Sequence, residues 1–312
     1  MLTSHPGVTI PRESAGLVKG LWWKSGVLDS SEQRGRFLRW LEETAVLGNW
    51  DLARGETKRA LDSCGECTVP EALEVVYRQT VPEDAERGGR WGDKSTWYYP
   101  HIDDLVRLYP DCSVVGIVRD PRAVVSSWRG VEHLSDSLSV AAAEWSYACD
   151  ELLRWRDGEA EADVTVSLVS YEEIVSEPGP SLEGLCEDLG LEYSDEMLAY
   201  WRKNRRDRLV GDEEREWKEL TYERPRTERI HAWRKKLTSA EICRTQQIAG
   251  PARMTEFGYQ PVDDCGTVLS RVGFSLYRTA YAWKRRAEEK ARKRKSQVES
   301  YIAGGRPAEL SS

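Results

Sequence analysis

The sequence predicts an α/β protein built on an open, doubly wound parallel sheet flanked by helices. Residues 113–118 (Ser-Val-Val-Gly-Ile-Val) form a nearly continuous apolar run, as a strand buried on both faces of a parallel sheet requires, and residues 164–169 form a second such strand. Helical patterns alternate with them: one is opened by Asp120-Pro121 and runs to about 129, with proline in its favoured first turn, and a longer one covers 137–156. In a sheet of this order ligands bind beyond the carboxyl ends of the strands. The length of 312 residues suits one large α/β domain or two small ones.

The remaining elements follow in chain order. Residues 8–10 read as a short strand. Phe37, Leu38, Leu41 and Val46 give helical spacing over 30–47, behind the cap signal Asp29-Ser30-Ser31-Glu32. A second helix covers 70–79, with Thr68 near its start and acidic residues in its first turn. Trp97, Ile102, Leu105 and Leu108 mark a helical segment over 96–108 that ends at Tyr109-Pro110. Helices are expected near 181–189 and 194–203, a polar, charge-dense surface loop over 204–229, and a last domain helix from 239 to about 254, stopped by Gly258-Tyr259-Gln260-Pro261. Beyond 264 the composition changes. Val268, Leu269, Val272, Leu276, Ala280 and Trp283 form an apolar stripe at helical spacing, and 278–295 hold nine basic against two acidic residues, net +7. The expected organisation is therefore a domain over 1–262 and a basic amphipathic helix with a disordered tail over 263–312. That helix is either solvated, laid on an anionic membrane, or laid on the acidic domain surface.

Composition excludes several classes. Lys and Arg total 45 against 53 Asp and Glu, for a net charge of −8, which divides into +7 over 278–295 and −15 elsewhere. Such a balance argues against nucleic acid as a partner, because binding it needs excess positive charge. No apolar run approaches the roughly 20 residues of a membrane span. The opening residues lack the basic and apolar regions of a signal peptide, so a cytoplasmic location is expected, with membrane association through the last helix and a targeting segment upstream left open. Seven cysteines, an odd number without a small-scaffold pattern, suit a reducing compartment better than a disulfide framework. Cys64-Gly65-Glu66-Cys67 has the spacing of a zinc or redox pair, but no second ligand pair accompanies it, and these read as ordinary loop cysteines with no metal.

Chemistry concentrates in Arg119-Asp120-Pro121-Arg122, at the carboxyl end of the first buried strand, with Ser127 two turns into the next helix. A guanidinium fork, a hydroxyl and free backbone N–H groups at one turn suit an anion; Arg119 pairing with Asp120 or capping a helix is the plainer alternative.

Together with other segments in order, this turn resembles the sulfotransferases that use 3′-phosphoadenylyl sulfate, particularly their bacterial and Golgi-type branch. Gly92-Asp93-Lys94-Ser95-Thr96-Trp97-Tyr98 is similar to that branch's G-D-K-[ST]-P-x-Y stretch, and residues 113–128 to its strand followed by R-D-P-R-x-x-x-x-S. Leu168-Val169-Ser170-Tyr171-Glu172-Glu173 resembles the strand ending in Y-E-D. Residues 182–191 resemble the helix after it, and His231-Ala232-Trp233-Arg234 and Gly258-Tyr259 the late tryptophan and closing G-Y. The resemblance covers roughly 4–260. It implies a P-loop NTPase-like fold and transfer of a sulfuryl group from 3′-phosphoadenylyl sulfate to a hydroxyl or amine of a small-molecule, carbohydrate or lipid acceptor.

It also implies roles. Arg119 and Ser127 would bind the nucleotide's 3′-phosphate, Tyr171 would lie near the adenine, and Trp233 and Arg234 would cover the nucleotide, although packing is the plainer role for any one of thirteen tryptophans. Lys94 would reach the transferring group, and Glu13 stands where several members carry the general base; the plainer readings are a solvated lysine at a helix start and, for Glu13, an acid on the N-cap side of a helix or a salt-bridge partner of Arg12. The position two after the motif lysine, a histidine in other branches, is Thr96, and His101 reads as a surface or packing residue. The family's P-R-S-G-T loop and its strand have no counterpart, because His5-Pro6-Gly7-Val8 resembles the turn that follows them. The expectation is thus either an internal start with weak activity as written, or a truncated sulfotransferase-like binding or scaffold protein. A P-loop kinase would need a Walker lysine, and none is found.

Overall fold

A computed structural model describes residues 1–13, 26–44, 46–81, 89–131, 134–158, 164–202, 222–262, 265 and 268–302, with side chains of the last helix from 271 to 292. The expected loop over 204–229 lies outside these residues as far as 221, as does the expected tail beyond 302. Packing divides the chain into Met1–Pro110 with Leu191–Arg224 and Lys290–Ser312, and Asp111–Gly190 with Pro225–Glu289.

The first unit begins with β1 (Val8–Thr9) and β2 (Val27–Leu28). Ser30 caps α1 (Ser31–Glu43), accepting the Gln33 N–H at 3.3 Å. The expected single helix over 30–47 stops at Glu43, where Thr44 Oγ1 donates back to Trp40 O at 2.8 Å, and resumes as α2 (Val46–Asn49). Then come α3 (Arg54–Ser63), β3 (Cys67–Thr68) and α4 (Val69–Arg78). The last has a full capping box: Thr68 N–H donates to Glu71 Oε2 at 2.7 Å, and Glu71 N–H to the Thr68 hydroxyl at 3.4 Å. β4 (Arg90–Trp91) pairs in parallel with β1, and β2 pairs antiparallel with β3. A 3₁₀ turn, Tyr99–His101, precedes α5 (Ile102–Leu108), a later start than expected, and His101 is buried. Helices α1 to α4 bury Phe37, Leu38, Leu41, Leu61, Leu73 and Tyr77 in one cluster, each large apolar side chain contributing roughly 1.5–3 kcal/mol. Over the helix expected at 194–203, a 3₁₀ turn, Asp195–Ala199, stands after a Ser194 cap, and residues 200–202 are helical.

The second unit carries the longer parallel pair. β5 (Val114–Val118) leads into α6 (Pro121–Trp128), α7 (Leu138–Arg156) returns, and β6 (Val166–Ser170) pairs with β5 in register Val114 to Val166 through Val118 to Ser170. α7 covers the face bearing Gly116 and Val118; a Cβ on Gly116 would stand 2.8 Å from Leu168 and 3.0 Å from Leu152. The other face corrects the expectation of a strand buried on both sides, since alternation turns Ile117 outward and leaves it 63% exposed. α8 (Tyr171–Ser176), α9 (Pro178–Asp188), α10 (Trp233–Lys236), α11 (Ser239–Ala249) and α12 (Pro251–Glu256) follow. The expected helix over 239–254 is broken at Gly250, whose φ of 91° no ordinary side chain favours, and at Pro251. The last helix, α13, spans Val268–Ile302.

Cys243 is bonded to Cys265, with Cα atoms 5.0 Å apart, which corrects the reading of the cysteines as unbridged. The fully buried Gln246 brings them together: its carboxamide donates to Val262 O at 2.8 Å and accepts the Val262 N–H at 3.1 Å, holding that segment on α11.

Candidate functional site

In the first unit the Gly-Asp-Lys turn is hung from the helical cluster. Asp93 Oδ2 accepts the Tyr77 hydroxyl at 2.6 Å and also that of Tyr98, while Oδ1 accepts the Lys94 N–H at 2.7 Å. Burial, and then the Asp93 charge, push the Tyr77 phenol well above its ordinary pKa, so it stays a donor. Lys94 is thereby aimed from a fixed backbone, and its Nζ meets Glu13 Oε2 at 2.6 Å. The alternative partner of Glu13 is otherwise engaged, as Arg12 lies 3.5 Å from Asp51.

In the second unit the strand ends gather the other predicted residues. The Arg119 backbone is fixed by the Trp145 indole, which donates to its carbonyl at 2.8 Å. The Arg119 guanidinium lies over the Tyr171 ring, 4.3 Å from its centroid, and donates to Arg229 O at 3.3 Å. Its Nε–H is buried without a partner among the described residues, a donor unmet by protein at the place where an anion is expected. Arg122, not Arg119, pairs with Asp120: its Nε and Nη2 donate to the carboxylate at 2.9 and 2.7 Å, both side chains are buried, and its guanidinium stacks on Trp233 at 4.3 Å. Glu172 joins the two strand ends, accepting the Asp120 N–H at 3.1 Å and the Tyr259 hydroxyl at 2.8 Å. Burial first, and the Glu172 charge second, raise the Tyr259 pKa far above normal.

Two predicted residues are placed differently. Trp233 is packed against Ala123 and Leu237, with Arg234 on it at 5.0 Å, so its main role is in the core. Ser127 is exposed and its hydroxyl donates to Val124 O at 2.8 Å, inside its own helix. A cleft of about 180 Å³ is lined by Asp120, Arg122, Glu172, Trp233, Arg234 and Tyr259, among others. Asp93, Arg122 and Glu172 lay inside the motifs without an assigned role; a charged residue in an apolar or turn context was the available signal. Among the described residues no cluster of three metal-ligating side chains is found.

An α/β arrangement whose parallel strand ends in Arg-Asp-Pro-Arg, opening directly into a helix, is the frame of a sulfotransferase domain. Solved structures agree on this fold: the chain superposes on the sulfotransferase domain of the Synechococcus PCC 7002 olefin synthase with a TM-score of 0.52, 19% identity and coverage of 83% of this chain and 88% of that one. On the sulfotransferase domain of the curacin biosynthetic pathway the values are 0.51, 16%, 84% and 92%. No curated protein matches the chain in sequence. The Sulfotransferase family model matches residues 1–195, and the chain belongs to that family.

Proposed function

We propose that this transferase moves a sulfuryl group from 3′-phosphoadenylyl sulfate to a hydroxyl or amine acceptor, releasing adenosine 3′,5′-bisphosphate. The observation that carries the reading is the buried Nε–H of Arg119, without a partner among the described residues, in a guanidinium already spread over Tyr171 at a strand's carboxyl end. A planar donor with an open edge suits a phosphate monoester in a way that lysine does not. Ser127 joins it in this reading by releasing its intrahelical bond, and Arg234, exposed beside Trp233, adds positive charge.

The chemistry assigned to the Lys94–Glu13 pair balances. A lone pair of the acceptor oxygen or nitrogen forms the new bond to sulfur, the bridging S–O bond breaks, and its electron pair leaves with the 5′-phosphate. Glu13 takes the acceptor's proton, and Lys94 offsets the negative charge growing on the leaving oxygen. Small-molecule, carbohydrate and lipid acceptors all offer the hydroxyl this needs.

Calorimetric titration with adenosine 3′,5′-bisphosphate tests the reading. The expected result is saturable binding that weakens about 10- to 100-fold in Arg119→Ala, the value of a charge-assisted hydrogen bond to a buried site. Unchanged affinity in that variant overturns the assignment. No binding by the parent chain favours the scaffold reading.

A further inference from the structure

The last helix has two faces with different fates. Within the second unit its inward face is docked: Phe274 and Tyr281 pack against the cluster of Val125, Ala141, Ala142 and Ile248, Arg285 reaches Glu144 at 3.0 Å and Arg286 reaches Glu151 at 3.0 Å. The acidic surface beneath the helix is thus already matched by these arginines. Its outward face carries the apolar row. Val272, Leu276 and Trp283, four and seven residues apart, share one line along the helix and are 52%, 66% and 76% exposed. Ala280 and Ala287 are exposed on the same side. Lys284, 3.7 Å from Glu288, flanks the row, Lys290 continues its line, and the sequence then runs Arg292-Lys293-Arg294-Lys295.

We infer that this outward face is a docking surface for an anionic lipid bilayer, with the helix lying in the plane of the interface. A row of Val, Leu and Trp beside lysine and arginine is the composition that buries an apolar face at the headgroup boundary while positive charge meets anionic lipid. The charge beside the row favours lipid, since Lys284, Lys290 and Arg292 are exposed and the sequence continues as Lys293-Arg294-Lys295. A second copy fits less well, because a two-fold contact through this face would bring two copies of the same basic helix together. At 35 residues and about 1.5 Å per residue the helix is about 52 Å long, yet no helix among the described residues is apolar enough to cross a membrane.

Co-sedimentation of the full chain with vesicles tests this, using equimolar phosphatidylcholine and phosphatidylglycerol against phosphatidylcholine alone. The expected result is binding to the anionic vesicles, weakened by salt and nearly absent on the neutral ones. The double variant Leu276→Glu, Trp283→Glu loses it, and Lys290→Gln weakens it about fivefold, the equivalent of about 1 kcal/mol per basic residue at such a surface. All three side chains are exposed, and unchanged circular dichroism and Tm verify that the variants fold. Equal binding by the double variant, or no binding by the parent chain, overturns the inference. So does light scattering that finds a dimer which the double variant dissociates.

Discussion

Lys94 and Glu13, 81 positions apart in sequence, meet in a 2.6 Å ion pair between Nζ and Oε2. With Lys94 about half exposed, such a pair contributes only about 0–1 kcal/mol to stability. Under the proposed function, Lys94→Ala lowers kcat about 10²–10³-fold by removing charge stabilisation of the leaving group. Glu13→Gln lowers it about 10²–10⁴-fold by removing the base. Both variants should melt within a few degrees of the parent. Transfer of labelled sulfuryl at saturating donor, read beside thermal unfolding, checks the pair; a large fall in Tm with little change in rate would show a structural bridge instead.

The Asp120–Arg122 pair is the opposite case. Both side chains are buried, so truncating one leaves the other charged without a partner. Asp120→Ala should cost about 3–5 kcal/mol in urea unfolding. Arg119→Ala, which breaks only a ring contact and one long hydrogen bond, should cost far less, so that the two arginines of one motif separate into a binding residue and a framework residue.

Bridging Cys243 to Cys265 closes a loop over 22 positions. By chain entropy a loop of that size is worth about 3 kcal/mol. Cys243→Ser, or the parent with reductant, should lose that much in denaturant titration, and reductant should have no further effect on the variant.

Glu241 supplies a pH signature. Hydrogen bonds from the Thr238 backbone, then from Arg129 and the Thr238 hydroxyl, hold its carboxyl down at about 2. A depressed folded value means that the stabilisation is present above the ordinary carboxylate range and fades as pH falls from about 4.5 toward 2. Unfolding midpoints measured across that window should drop in the parent, and drop less steeply in Glu241→Gln. Equal slopes would show that other carboxylates govern the acid limb.

Legibility followed burial and local chemistry. The strand ending at Val118 and the Asp120 cap were readable because an apolar run and Asp-Pro state their own conformation. The helix over Arg54–Ser63 was not, because Thr57 and Leu61 are its only buried residues and so show too little period. The break at Gly250-Pro251 lies inside the helix expected over 239–254, where the apolar spacing runs on past the glycine's φ of 91° and the proline that follows it. The Cys243–Cys265 bond depends on Gln246 folding a distant segment back, which no spacing encodes. In the site, the expectations for Lys94, Glu13 and Arg119 rest on motif position. Arg119 and Arg122 both stand close to Asp120 in sequence, and only the first turn of α6 decides that Arg122 is its buried partner. The apolar stripe of the last helix was correctly located, but which face of that helix would be covered depends on Phe274 and Tyr281 finding α7 and α11.

The Asp93 bracket gives the lysine an inheritance. Tyr77 is among the least exposed residues of its unit and belongs to α4, whose start is locked by Thr68 and Glu71. Through two phenols and one carboxylate, a solvent-facing ammonium shares the fate of that helix. Opening of α4 releases the lysine with it.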